Sequence, residues 1–123
     1  MSARARTIKV ETRTVQSTPV IHVRGVVDLS TSPQLRDALL ENARLTTGPI
    51  LVDLSQVPYM DSSGVGTMVY LKRAGDRAGR EVVLIGLSPR VRSLFEITHL
   101  DRFFRMAADV AEALRPRPGA AAE

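Results

Sequence analysis

The chain has 123 residues, a net charge of +4 and no cysteine. That length suits one domain with a real core, and the lack of cysteine removes disulfides, thiolate nucleophiles and cysteine-bound zinc, which fits a cytoplasmic protein. Aromatics are only 4% and much of the basic excess lies near the ends, at Arg4, Arg6, Arg13, Arg115 and Arg117, so the charge reads as solvated rather than as a nucleic-acid surface.

Thr7–Val15 alternates, with Ile8 and Val10 on one side and Lys9, Glu11 and Arg13 on the other, the pattern of a half-buried strand. Gln16–Pro19 is a polar break, and Val20–Val27 is a second strand close enough to pair with the first as an antiparallel hairpin. After a polar corner at Asp28–Ser32, Thr31 and Gln34 have capping-box spacing and Pro33 suits an early helical position. The helix is expected to run to about Leu45 on an apolar stripe of Leu35, Ala38 and Leu39 with Leu45 near its end, and Thr46–Pro49 ends it.

Ile50–Leu54 is a short apolar run of the kind covered on both faces. A loop, Ser55–Met60, leads to Asp61–Ser62–Ser63–Gly64, and a helix with Val65, Met68, Val69 and Ala74 on its inner side follows, closed by Gly79. Val82–Ile85 is another buried-type strand. Ser88 and Pro89 make an N-cap and first-turn proline for a helix presenting Val91, Leu94 and Phe95, which breaks at Thr98–Asp101. Phe103–Met106 reads as a short strand, and Asp109–Glu112 has the capping spacing of a last helix with Val110, Ala111 and Leu114.

The expected fold is a single α/β domain over residues 7–115, a mixed sheet in the order β-β-α-β-α-β-α-β-α, with flexible ends at 1–6 and 116–123. No apolar run approaches the roughly 20 residues that span a bilayer, and Met1–Arg6 has no apolar stretch after it as a signal peptide would. Helix-linked strands imply parallel pairing with right-handed crossovers, and sites in such sheets gather at the carboxyl ends of the strands. That places Ser62 at the functional edge.

Ser62 stands at a helix N-terminus, where free amides and the helix dipole tolerate a phosphate. Asp61, Ser62 and Ser63 are equally good N-cap residues, so a purely structural reading stays open on chemistry alone. A nucleophilic serine needs a base, and the histidines are His22, in a strand pattern, and His99, at a helix end. Gly64–Val65–Gly66 lacks the Walker and dinucleotide patterns, and nothing completes a magnesium site around Asp53 and Asp61. No enzyme activity, metal or cofactor is expected of the chain itself.

The stretch Val52–Asp53–Leu54–Ser55 followed by Met60–Asp61–Ser62–Ser63–Gly64–Val65–Gly66 resembles the STAS domain, in particular bacterial anti-sigma factor antagonists. Gly86–Leu87–Ser88–Pro89–Arg90–Val91–Arg92–Ser93–Leu94–Phe95 is similar to that family's second landmark, and Gly25–Val26–Val27–Asp28 to its early turn, where many members carry glutamate before the aspartate. The resemblance implies that Ser62 is the phosphate acceptor and that Asp28, Asp61, Ser63 and Gly64 surround it in a partner interface. It further implies an anti-sigma factor serine kinase as partner, which itself binds ATP and magnesium, and a serine phosphatase that resets the switch. The alternative within the family is a scaffolding or accessory subunit of a transporter or stress-signalling assembly.

Overall fold

The computed structural model describes residues 7–116; of the expected flexible ends at 1–6 and 116–123, all but Pro116 lie outside the described residues. β1 (Lys9–Val15) and β2 (Thr18–Arg24) form the expected antiparallel hairpin. The turn is tighter than the proline suggests. Gln16 and Ser17 alone make it, both with positive φ (52° and 63°), and Pro19 lies inside β2. The position is tolerable because β2 meets its other neighbour only from Val20 onward, so no ladder on that side needs an amide at 19.

β2 also ends earlier than expected, at Arg24 rather than Val27. Gly25 takes φ +124°, the register to the next strand shifts between His22 and Arg24, and pairing resumes as a single parallel bridge from Val27 to Met60. α1 (Ser32–Arg44) follows, then β3 (Ile50–Gln56), α2 (Ser62–Arg77), β4 (Val82–Ile85), α3 (Pro89–Ile97), β5 (Arg105–Ala107) and α4 (Val110–Ala113). This is the expected element order. The strands lie side by side in the order β1-β2-β3-β4-β5, every pair after the hairpin being parallel.

Strand alternation divides the core between two faces. Ile21, Val23, Val52, Leu54, Val82 and Leu84 point to one face and pack with α1 (Leu35, Leu39), α2 (Val65, Met68, Leu71) and α3 (Val91, Phe95). Val20, Leu51, Val83 and Ile85 point to the other, where the short α4 covers them with Val110 and Ala113. Toward β1 that second face carries Lys9, Glu11, Arg13, His22 and Arg24, which line an open cleft of about 350 Å³. Leu45 does not belong to the α1 stripe: it is the C-cap residue and is 75% exposed.

The helix ends follow local chemistry. Gly79, at φ +70°, closes α2 as expected, with the Arg80 amide returning to the Gly75 carbonyl at 2.8 Å. His99 does the same for α3 at φ 61°, its own amide bonding Glu96 O (3.0 Å) and that of Leu100 bonding Phe95 O (2.8 Å). Ser88 caps α3 through the Val91 amide (3.2 Å), and Asp109 caps α4 through that of Glu112 (2.8 Å).

Candidate functional site

Two turns meet at the carboxyl edge of the sheet. One follows β2, at Gly25–Thr31; the other follows β3, at Val57–Asp61. The Val27 amide bonds Tyr59 O, and the Asp61 amide bonds Val27 O, both at 3.0 Å, so the turns are stitched together by backbone. Parallel pairing of β2 with β3 makes this unavoidable, because adjacent parallel strands exit on the same edge.

Asp28 organises the first turn. Its Oδ1 accepts from the Ser30 amide (3.0 Å), the Ser30 hydroxyl (2.7 Å) and the Thr31 amide (3.2 Å), an Asx turn. The capping box expected from Thr31 and Gln34 does not form. The buried Thr31 hydroxyl instead donates to Val26 O (2.9 Å) and accepts from the Asp28 amide (3.0 Å), and Gln34 reaches toward Ile8 O. Local backbone groups compete for the hydroxyl and win.

Asp61 organises the second turn as the N-cap of α2. Its Oδ1 accepts from the Ser63 amide at 2.9 Å and from the Ser63 hydroxyl at 2.5 Å. The Ser63 hydroxyl also lies 2.7 Å from that of Ser32. A hydroxyl has one proton to give. That of Ser63 goes to the carboxylate, so Ser32 must supply the proton between the two oxygens. The Ser32 hydroxyl also donates to Asp28 O (2.8 Å), so its one proton is shared between that carbonyl and Ser63 Oγ. The chain Ser32→Ser63→Asp61 thus locks the second serine of the pair in place, half-buried.

Ser62 is different. It is exposed, and its hydroxyl has no hydrogen-bond partner among the described residues. Of the two adjacent serines, one hydroxyl is committed and the other is open. Gly64 departs from its expected place in a contact surface, since it is buried. A Cβ there would stand 2.4 Å from Met60 Cγ and 2.7 Å from Val27 Cγ1, so its bareness lets α2 press against the Val27–Met60 bridge and fixes where Ser62 emerges. Asp28, Asp61, Ser62 and Ser63 are therefore brought together at one edge, with Gly64 beneath them.

Sequence reasoning missed the role of Thr31, whose buried hydroxyl braces the first turn, and of Ser32, whose buried hydroxyl ties it to Ser63. The signal available was a second hydroxyl run after an aspartate, Ser30–Thr31–Ser32, mirroring Asp61–Ser62–Ser63. Tyr59 and Arg90 also flank the edge, the guanidinium 5.4 Å from the ring centroid.

Among the described residues no base is hydrogen-bonded to Ser62. His22 projects on the far face of the sheet, where its Nδ1 is 3.5 Å from Asp53 Oδ2. His99 lies past the C-terminal end of α3, whereas Ser62 opens α2. Among the described residues no group of three acidic, histidine or cysteine side chains could hold a metal ion, and no helix is long and apolar enough to cross a membrane.

The fold and the edge define a small α/β domain that presents one open serine hydroxyl on a rigid helix entrance. The STAS domain model matches residues 9–113, and the chain belongs to that family. It is 36% identical over 93 residues to the anti-sigma-B factor antagonist of Staphylococcus aureus, covering 76% of this chain and 86% of that one. It is 42% identical over 81 residues to the anti-sigma-B factor antagonist of Listeria monocytogenes, covering 65% and 70%. Among solved structures it is similar to the anti-sigma factor antagonist SpoIIAA in its unphosphorylated form, with a TM-score of 0.69, 26% identity, and coverage of 86% and 93%.

Proposed function

We propose that this chain is an anti-sigma factor antagonist switched by phosphorylation at Ser62. Unphosphorylated, it binds an anti-sigma factor serine kinase and so releases the sigma factor; phosphorylated, it lets go; a serine phosphatase restores it. The observation that carries the reading is the asymmetry of the serine pair: the Ser62 hydroxyl is exposed and unpartnered among the described residues, while that of Ser63 is held by Asp61 at 2.5 Å.

Phosphoryl transfer depends mostly on positioning. Ser62 Oγ bonds to the γ-phosphorus of the kinase's ATP as the bond to the ADP oxygen breaks, and the hydroxyl proton passes to a base of the kinase. ATP and magnesium belong to the partner. The product carries close to two negative charges at neutral pH, at the first residue of α2, where helix amides favour an anion. The fold therefore tolerates the group, whereas a partner seated against Asp28 and Asp61 meets added bulk and repulsion. A penalty of about 3 kcal/mol weakens binding more than a hundredfold.

Ser62→Asp tests this. The circular dichroism spectrum stays native and affinity for the cognate anti-sigma factor kinase falls at least tenfold. Unchanged affinity would refute the switch.

A further inference from the structure

Of the glycines among the described residues, Gly25, Gly48, Gly79 and Gly86 have positive φ, and at Gly64 and Gly75 a Cβ would come within 2.4 and 2.7 Å of other atoms. Gly66 has neither reason. It lies inside α2 with ordinary helical φ, is exposed, and a Cβ there would meet nothing within 4 Å. A glycine within a helix costs stability relative to alanine. The fold thus keeps a bare patch of backbone that nothing inside the molecule uses.

The patch lies on the switch face. Ser62, Gly66 and Tyr70 recur every four residues and form one exposed stripe along α2. Arg36 of α1 stands over the Tyr70 ring, 5.4 Å from its centroid. Leu29 is 77% exposed, and with Pro33 and Arg36 it borders a shallow hollow beside Thr67. Ser62 and Tyr70 flank Gly66 one turn to either side along the stripe, leaving a gap with no side chain between them.

We infer that Gly66 is the floor of a saddle on which the anti-sigma factor kinase lays its main chain, with Ser62 and Tyr70 at its two rims. The inference rests on the proposed function. A kinase that encloses the Ser62 hydroxyl covers the next turn of the same helix face, about 6 Å along the axis, and close backbone approach is what a glycine in that place permits. It also supplies the release step: a phosphate on Ser62 overhangs the saddle and displaces the segment seated in it.

The test measures binding of the cognate anti-sigma factor kinase, loaded with a non-hydrolysable ATP analogue, by calorimetry. Gly66→Ala raises the melting temperature of the free chain by roughly 2–5 °C, yet weakens binding at least tenfold. Gly66→Leu weakens it at least a hundredfold with native circular dichroism, and Arg77→Ala, on the exposed last turn of α2, leaves it unchanged. Binding of both Gly66 variants within twofold of wild type would overturn the inference, and so would a lower melting temperature for Gly66→Ala. Ser62→Asp in the same series separates the two readings: if it binds like wild type while the Gly66 variants fail, the switch falls and the saddle stands. A wild-type chain that does not bind the kinase overturns both.

Discussion

Replacing Asp61 by alanine perturbs the structure where the two serines are told apart. The substitution removes the N-cap bond to the Ser63 amide (2.9 Å), about 1 kcal/mol. It removes a negative charge at the N-terminus of α2, about 0.3–1 kcal/mol, and the acceptor for the half-buried Ser63 hydroxyl, about 0.5–1 kcal/mol. The expected loss is about 2–3 kcal/mol, or roughly 6–15 °C in melting temperature for a chain of this size. Urea unfolding followed by circular dichroism, on Asp61→Ala, Ser63→Ala and the double variant, measures the total and the coupling. Side chains in direct contact should couple by about 0.5–1.5 kcal/mol. The freed Ser63 hydroxyl should also become a second acceptor for the kinase, so phosphate spreads from Ser62 to Ser63 in the Asp61→Ala chain. A cost below about 0.5 kcal/mol, or strictly additive effects, would refute the view that Asp61 holds Ser63 out of play.

Two further substitutions test how the edge is built. Gly64→Ala forces a methyl against Met60 and Val27 and should destabilise the fold by about 1–3 kcal/mol in chemical denaturation; a neutral effect would show that α2 can lift from the bridge at no cost. Arg80 donates to Gly48 O (2.6 Å), Ala43 O (2.8 Å) and Thr46 Oγ1 (3.0 Å), tying the end of α1 to the start of β4. Arg80→Ala should cost about 2 kcal/mol, and Arg80→Lys should recover less than half of it, because one ammonium cannot reproduce the fork; full recovery by lysine would reduce the contact to simple charge.

Much of this was legible in the chain because the signals were local. The serine pair behind Asp61 and the Ser88–Pro89 start each combine a period with a cap, and each forms where the pattern puts it; the buried run Ile50–Leu54 also forms a strand, which continues through Ser55 and Gln56 of the expected loop. The misplaced features depend on contacts across the fold. Pro19 reads as a turn residue, yet it sits in β2 because the neighbouring strand begins one residue later. Leu45 reads as the end of the apolar stripe, yet it is exposed at the C-terminus of α1. Thr31 has the spacing of a capping box, but the carbonyl of Val26 claims its hydroxyl. At the site, chemistry marked both serines as acceptors or caps alike. The bond from the Ser63 hydroxyl to Asp61 and the approach of Ser32 from another helix, 31 positions away, separate them, and no local pattern encodes the second.

The central claim is that the open hydroxyl at Ser62 is the switch. Incubating the chain with its cognate anti-sigma factor kinase, ATP and magnesium, and mapping the product by fragmentation mass spectrometry, tests it most directly. The account predicts one phosphate, on Ser62, and loss of kinase binding by the modified chain. Phosphate on Ser63 in place of Ser62, or stable binding by a chain phosphorylated at Ser62, would contradict it.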